Sequence, residues 1–321
     1  MCGLYNRKKT MNIALCTDEN FSIPALICLT SIFENNKDED CHAFVLTDGI
    51  SEKTKYKFNK LSDVYQKPID VITIDRHRFD GLTVSDRYPV SMYYRFLLPE
   101  MLPKERVALY LDCDIIVRHS LKALFAQDIK DYAIGAVVSQ SCDWVKWYND
   151  YKLSMPFFNS GVLLMNLDYW RQNYVFESLV RWVAENPNGL WLPDQSALNK
   201  VLEGKVKYLN YTYNFQERWT RPLQGSYMHF SKWKEIEIAG KDPIVIHYCD
   251  AEKPWFVESR HKFKDDFLFY ATMHEFVGFK PVHRYGRVYK FAKILGRVGL
   301  KLRYWAEILQ KKSIKNLKIS N

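Results

Sequence analysis

The sequence predicts an α/β protein: a mixed, mainly parallel sheet with helices packed on both faces. Three observations carry that expectation. Short apolar runs alternate with helical patterns, as in "NIALCT" followed by "SIPALICLTSIFENN". The runs are continuously apolar, which suits strands buried on both faces. Polar side chains collect where the runs end: Thr17, Asp18 and Asn20, then Thr47 and Asp48, Asp75, and Asp112 with Asp114. In open parallel sheets the ligand crevice lies beyond the carboxyl ends of the strands.

Each element has its own signal. Strands are expected over 12–17, 42–48, 69–75, 107–114 and 132–139. A helix over 22–36 opens with Ser22 as N-cap and Pro24 in its first turn. A polar-faced helix starts at Ser51, and "VSMYYRFLLPEML" is helical up to Pro103. Further on, 161–167 and 243–248 suit strands, while 176–186 and 194–204 suit helices, the second closed by Gly204. Residues 205–242 carry many aromatics and little periodicity. After about 255 the pattern turns helical and basic.

The 321 residues, 47% hydrophobic and 26% charged, allow one large domain or two ordinary ones. No run approaches the ~20 apolar residues of a membrane helix, and no secretory signal is visible. Met11 suits a second start, with 1–10 as leader, 11–256 as the main domain and 257–321 as a basic helical extension. The seven cysteines are scattered, odd in number and without a CxxC pair, which suits a reduced cytosolic protein. The +9 charge is uneven. Residues 281–321 hold eleven bases and one acid, a net +10, which leaves −1 for the rest. A near-neutral body argues against a nucleic-acid partner.

Asp112 and Asp114 stand inside "VALYLDCDIIV" with only Cys113 between them. Residues two apart on a strand share a face, and a turn at a strand end brings both carboxylates to one point. Paired carboxylates resist burial unless a cation joins them. Oxygen donors suit Mg²⁺ or Mn²⁺ sharing its shell with phosphates. The alternative is that they end the strand and cap the next turn. His247 closes the apolar run "IVIH", a strand expected beside the first set, and an imidazole shifts the preference towards Mn²⁺. Lys253 follows six residues on, as a point charge for phosphate.

With these residues the chain resembles the family 8 retaining glycosyltransferases, in particular bacterial lipopolysaccharide galactosyl- and glucosyltransferases. Six separated blocks between Met11 and Trp255 carry the resemblance, in the family's order. It implies a Rossmann-like, GT-A-type nucleotide-sugar fold. "ALCTDENF" is similar to the nucleotide-contacting loop, which implies Thr17, Asp18, Asn20 and Phe21 at the uridine. "YYRFLLPEMLP" implies Arg95 at the donor, and "LYLDCDIIV" matches the metal motif, with Asp112 and Cys113 near the donor and Asp112, Asp114 and His247 as ligands. "FFNSGVLLMNLDYWR" implies Asn159 and Gly161 near the donor sugar. "LPDQSALN" implies Asp194 and Gln195 at the reacting centre. "HYCDAEKPW" implies Lys253 on the diphosphate. Asp250 departs from the family's glycine in that last block, and Ser196 stands where some relatives have a second acid.

The implied reaction moves glucose or galactose from UDP-glucose or UDP-galactose, with Mn²⁺ or Mg²⁺, to a hydroxyl of a glycan or glycolipid acceptor, with retention. Two routes stay open. One is double displacement through Gln195 or Asp194. The other is front-face attack, with the leaving phosphate taking the acceptor's proton. The lack of an obvious strong base favours the second. Aromatics at 191 and 208–219 suit either a sugar platform or core packing.

In the tail, Val288, Phe291, Leu295, Val298, Leu302, Trp305 and Leu309 form an apolar stripe at helical spacing, with bases on the other face. That pattern suits a helix lying on an anionic inner-leaflet surface, or one packed on the body or on a second copy. The expected location is the cytoplasm, at the inner face of the membrane. Two other functions stay open: a UDP-sugar-binding protein with weak or no transfer, kept alive by Asp250, and a metal-dependent nucleotidyltransferase, against which stands the lack of a Gly-rich loop after the first strand.

Overall fold

The structure, a computed structural model, describes residues 10–84, 89–139, 152–187, 192–216, 232–249 and 251–284. The basic stripe, residues 1–9 of the leader, Trp191, residues 217–219 and Asp250 lie outside the described residues, and so do the readings placed on them.

The main sheet holds β1 (Met11–Cys16), β2 (Cys41–Thr47), β3 (Ile69–Thr73), β4 (Val107–Leu111), β6 (Ile134–Val138), β7 (Phe158–Asn166) and β8 (Val206–Tyr208). Its order is β3-β2-β1-β4-β7-β6-β8. All neighbours are parallel except around β7, which runs against β4 and β6. A second sheet, in the order β5-β10-β9, joins β5 (Ile115–Val117), β9 (Phe215–Gln216) and β10 (Val245–His247).

Two apolar cores form on the two faces of the main sheet. One packs α1 (Ser22–Asn35), α2 (Glu52–Tyr65) and the small sheet. The other packs the 3-10 segment Val90–Leu97 with α3 (Leu98–Met101) and the later helices α4 (Leu167–Gln172), α5 (Val175–Glu185) and α6 (Pro193–Val201). Residues 257–284 belong with the first core: Phe267 on α7 (Lys264–Ala271) is fully buried there. An antiparallel β7 lets β4 continue into a turn at its carboxyl end while β7 starts alongside it, so the two ends meet at one edge of the sheet.

Several expectations change. Ser22 is not the cap before α1. Asp18 caps a preceding 3-10 turn instead, accepting from the Phe21 amide at 3.0 Å. Ser51 does cap α2, accepting from the Thr54 amide. The segment 90–102 is mostly 3-10 helix. The expected strand 107–114 stops at Leu111, and the chain resumes as β5 in the other sheet. The strand ending in His247 joins that second sheet and does not lie beside the first set. Tyr211, Tyr213 and Phe215 are buried, so of the two readings open for these aromatics core packing holds for this part.

Candidate functional site

Asp112, Cys113 and Asp114 form the link between the two sheets. The Asp112 amide donates to the Gly161 carbonyl on β7 at 2.9 Å, and the Asp114 carbonyl accepts from the Tyr248 amide at 2.9 Å. One aspartate is thus pinned to the large sheet and the other to the small one. His247 ends β10, opposite Ile115. Its Nε2 lies 3.6 Å from Asp112 Oδ2 and 3.3 Å from Asp114 Oδ1.

The other oxygen of each carboxylate is already engaged. Asp112 Oδ1 accepts from the Tyr110 hydroxyl at 2.6 Å and meets Arg95 Nη2 at 3.1 Å. Asp114 Oδ2 accepts from Lys253, whose ammonium also donates to the Tyr248 carbonyl. Burial works against charge on Asp114. The Lys253 ammonium and then His247 outweigh it, and its carboxyl sits well below the usual carboxylate range. What remains is one oxygen from each aspartate and one ring nitrogen, all within 4.8 Å of one another. Two O donors and an imidazole suit a divalent cation of the Mn²⁺ or Mg²⁺ kind. The arrangement therefore fits the metal implied by the sequence.

Arg95 comes from the 3-10 segment and is buried, 5% exposed. Its guanidinium lies over the Tyr110 ring at 4.3 Å and donates to the Ser160 and Met92 carbonyls. Its Nη1 reaches Asp194 Oδ2 at 3.5 Å. Arg95 thus joins the two-aspartate turn to the start of α6. Burial raises the Asp194 carboxyl, with Arg95 opposing and Asp112 adding to the rise. Gln195 Oε1 accepts from the Ser160 amide at 2.9 Å, with Asn159 Nδ2 at 3.2 Å and the Ser160 hydroxyl at 3.3 Å. Asn159 Oδ1 accepts from the Gly161 amide at 3.0 Å and from Asn214 Nδ2 at 2.8 Å.

Thr17, Asp18, Asn20 and Phe21 follow β1 at the same end of the sheet. Thr17 is buried, and its hydroxyl donates to the Asp18 carbonyl. Phe21 is exposed and meets Trp255 edge-on at 6.1 Å, with Lys253 5.9 Å from the same indole. That row of contacts joins the β1 loop to Asp114. Cys113 turns inward: its thiol donates to the Cys16 carbonyl, and burial raises its pKa well above the ordinary value.

The structure gathers Asp112, Asp114, His247, Lys253, Arg95, Asp194, Gln195, Asn159 and Gly161 into one contiguous constellation. Three members were missed in the sequence. Tyr110 had a signal, since it lies two residues before Asp112 and so on the same side of the strand expected over 107–114. Ser160 lay inside the quoted block. Asn214 had none: it is a single amide in an aromatic run, brought in by the pairing of β9 with β10.

The model of glycosyl transferase family 8 matches residues 12–258. A lipopolysaccharide 1,2-glucosyltransferase of Escherichia coli is 29% identical over 258 residues, covering 78% of this chain and 74% of that protein. General stress protein A of Bacillus subtilis (strain 168) is 23% identical over 271 residues, covering 83% of this chain and 94% of that one. Among solved structures, the galactosyltransferase LgtC in complex with donor and acceptor sugar analogues superposes with a TM-score of 0.73 at 26% identity, covering 81% of this chain and 95% of that one. With a family match over most of its length and glycosyltransferases among its relatives and structural neighbours, the chain belongs to glycosyl transferase family 8, and is a glycosyltransferase.

Proposed function

We propose that this chain is a retaining hexosyltransferase that moves glucose or galactose from a UDP-sugar to a hydroxyl of a glycan acceptor, lipopolysaccharide or a lipid-linked oligosaccharide. Mn²⁺ is the proposed cofactor, with Mg²⁺ as a substitute. The observation that carries the reading is the meeting of Asp112 Oδ2, Asp114 Oδ1 and His247 Nε2 beyond the carboxyl end of β4. The lipopolysaccharide glucosyltransferases among the relatives support the acceptor class.

Asp112, Asp114 and His247 would hold the cation, which when bound would supply Lewis-acid stabilisation of the charge on a departing diphosphate. Lys253 adds a positive charge beside it. Arg95, through its contacts with Asp112 and Asp194, ties the cation side of the crevice to the sugar side. Phe21 offers an exposed ring to the base, with Thr17, Asp18 and Asn20 around it. Asn159 and Gly161 border the donor sugar.

The proposed route is front-face attack. The acceptor oxygen bonds to the anomeric carbon as the bond to the diphosphate oxygen breaks, and that oxygen takes the acceptor's proton. The engagement of Gln195 Oε1 by the Ser160 amide and Asn159 supports this, since a carbonyl oxygen held there makes a poor nucleophile. Asp194 is held by Arg95 and the Ser160 hydroxyl. The basic tail is proposed to hold the enzyme to the cytoplasmic face of the membrane, where a lipid-linked acceptor resides. Among the described residues no helix is long and apolar enough to cross a membrane.

The test is Mn²⁺-dependent release of UDP from UDP-glucose, UDP-galactose and their N-acetyl forms, with and without a lipopolysaccharide-core acceptor. Release with one hexose donor, raised by acceptor, is expected. No release from any donor overturns the reading.

A further inference from the structure

We infer that Asn214 is the positioning residue that sets the tautomer of His247, and through it the metal-binding face of the site. The inference rests on the metal reading above and names a residue that neither the sequence blocks nor the comparisons single out.

Amide orientation is decided by a donor that cannot reverse. The Gly161 backbone N–H can only donate, and it points at the Asn159 side chain at 3.0 Å. The atom there is therefore Oδ1. The Asn214 amide meets that same oxygen at 2.8 Å, so it must present its Nδ2. Its other end, Oδ1, then faces His247 Nδ1 at 3.1 Å. An amide oxygen only accepts, so Nδ1 carries the proton. Nε2 is left with a lone pair, directed at Asp114 Oδ1 and Asp112 Oδ2. A lone pair facing two carboxylate oxygens calls for a cation.

Gln195 reports the same polarity independently. The Ser160 N–H fixes Gln195 Oε1 at 2.9 Å, and Asn159 presents its Nδ2 to that oxygen at 3.2 Å. This agrees with the orientation that the Gly161 N–H imposes. Two backbone N–H groups of β7 thus set three side-chain amides and one imidazole in series. Burial keeps the series from slipping: Asn214 is fully buried and His247 is 3% exposed. Asn214 sits immediately before β9, whose Gln216 pairs with His247 across the sheet, so strand register brings its side chain to Nδ1. The outer partner of a metal-bound histidine orients the ring and fixes which nitrogen is free.

The test uses the full chain and Mn²⁺ alone, with no donor or acceptor. In Asn214→Leu the branching at Cγ is kept and the acceptor is lost; Mn²⁺ affinity, from calorimetry or the spin-resonance signal of free Mn²⁺, is expected to fall about 10–100-fold. Asn214→Asp keeps an oxygen opposite Nδ1 and is expected to bind Mn²⁺ more tightly than Asn214→Leu. Equal Mn²⁺ affinity in folded Asn214→Leu and the unaltered protein overturns the inference. A second measurement needs no variant at position 214. In metal-free protein with ¹⁵N-labelled histidine, above the range where imidazoles protonate, the His247 signals are identified by their loss in His247→Gln. They are expected to show Nδ1 protonated and Nε2 bare; the opposite pattern overturns the inference. If the unaltered protein binds no Mn²⁺, the metal reading falls, while the tautomer measurement still stands on its own.

Discussion

A β-carbon on Gly161 would stand 2.8 Å from His247 Nδ1 and 2.7 Å from Asp112 Oδ2, closer than side-chain carbons approach such atoms. The glycine is there because β7 passes directly beneath two of the three candidate ligands. Gly161→Ala is expected to displace the buried imidazole, cost about 1–3 kcal/mol of stability and weaken Mn²⁺ binding. Thermal unfolding with and without Mn²⁺ checks it: the variant's melting temperature should rise less on adding the ion.

Asp112→Asn and Asp114→Asn each remove one of the two anionic donors. The cation's contribution to such a step is several kcal/mol, so transfer is expected to fall about 10³-fold or more. Near-normal turnover by either variant would remove the metal assignment.

Arg95 holds Asp112 and Asp194 together from a buried position. Arg95→Met leaves both carboxylates without their cation, and the expected loss of stability is about 3 kcal/mol. Arg95→Lys should lose less, because one charge remains, yet it cannot reach Met92, Ser160 and both acids from one fork. Urea unfolding of the two variants ranks them; equal stability to the unaltered protein would show that the pairing contributes nothing net.

The Asp114 carboxyl is depressed by the Lys253 ammonium, and by the His247 ring in its protonated form, against the effect of burial. A group depressed in the folded state contributes stability above its ordinary pKa, and that contribution fades as pH falls through the carboxylate range. Lys253→Met is therefore expected to be destabilised most near neutral pH, by about 3 kcal/mol in metal-free protein. The gap to the unaltered protein should narrow on acidification below about pH 4. Chemical unfolding across pH 3–7 measures it, and a gap that stays constant would deny the pairing.

Val282 bonds back to the body, exchanging backbone hydrogen bonds with Trp255 and Val257. Deletion should therefore start beyond Arg284. Removing 285–321 takes away ten of the eleven bases of the tail and is expected to release the protein from anionic vesicles while leaving UDP-sugar hydrolysis. Vesicle sedimentation checks it; unchanged binding would place the membrane contact elsewhere.

Much of this was visible in the chain of letters. β1, β2, α1 and α2 follow from local patterns, because a buried strand and a buried helix leave different apolar spacings. The Asp112–Asp114 pair announced itself by its cost: carboxylates inside an apolar run need a partner. Arg95, Asp194 and Gln195 came only through the family's blocks, since nothing in their local pattern marks them. Residues 205–242 resisted because β8 and β9 are too short for periodicity.

What lay in the order of residues was therefore chemical type and local conformation: strands, helices, two acids and an imidazole that ask for a cation. What emerged on folding was which atoms point where. The chain leaves one sheet at Leu111 and enters another at Ile115, and this carries Asp112 and Asp114 to the same imidazole. Asn214 reaches that imidazole from 33 positions away in the chain. Such contacts depend on cross-strand register, which long-range pairing sets and no local window of sequence contains.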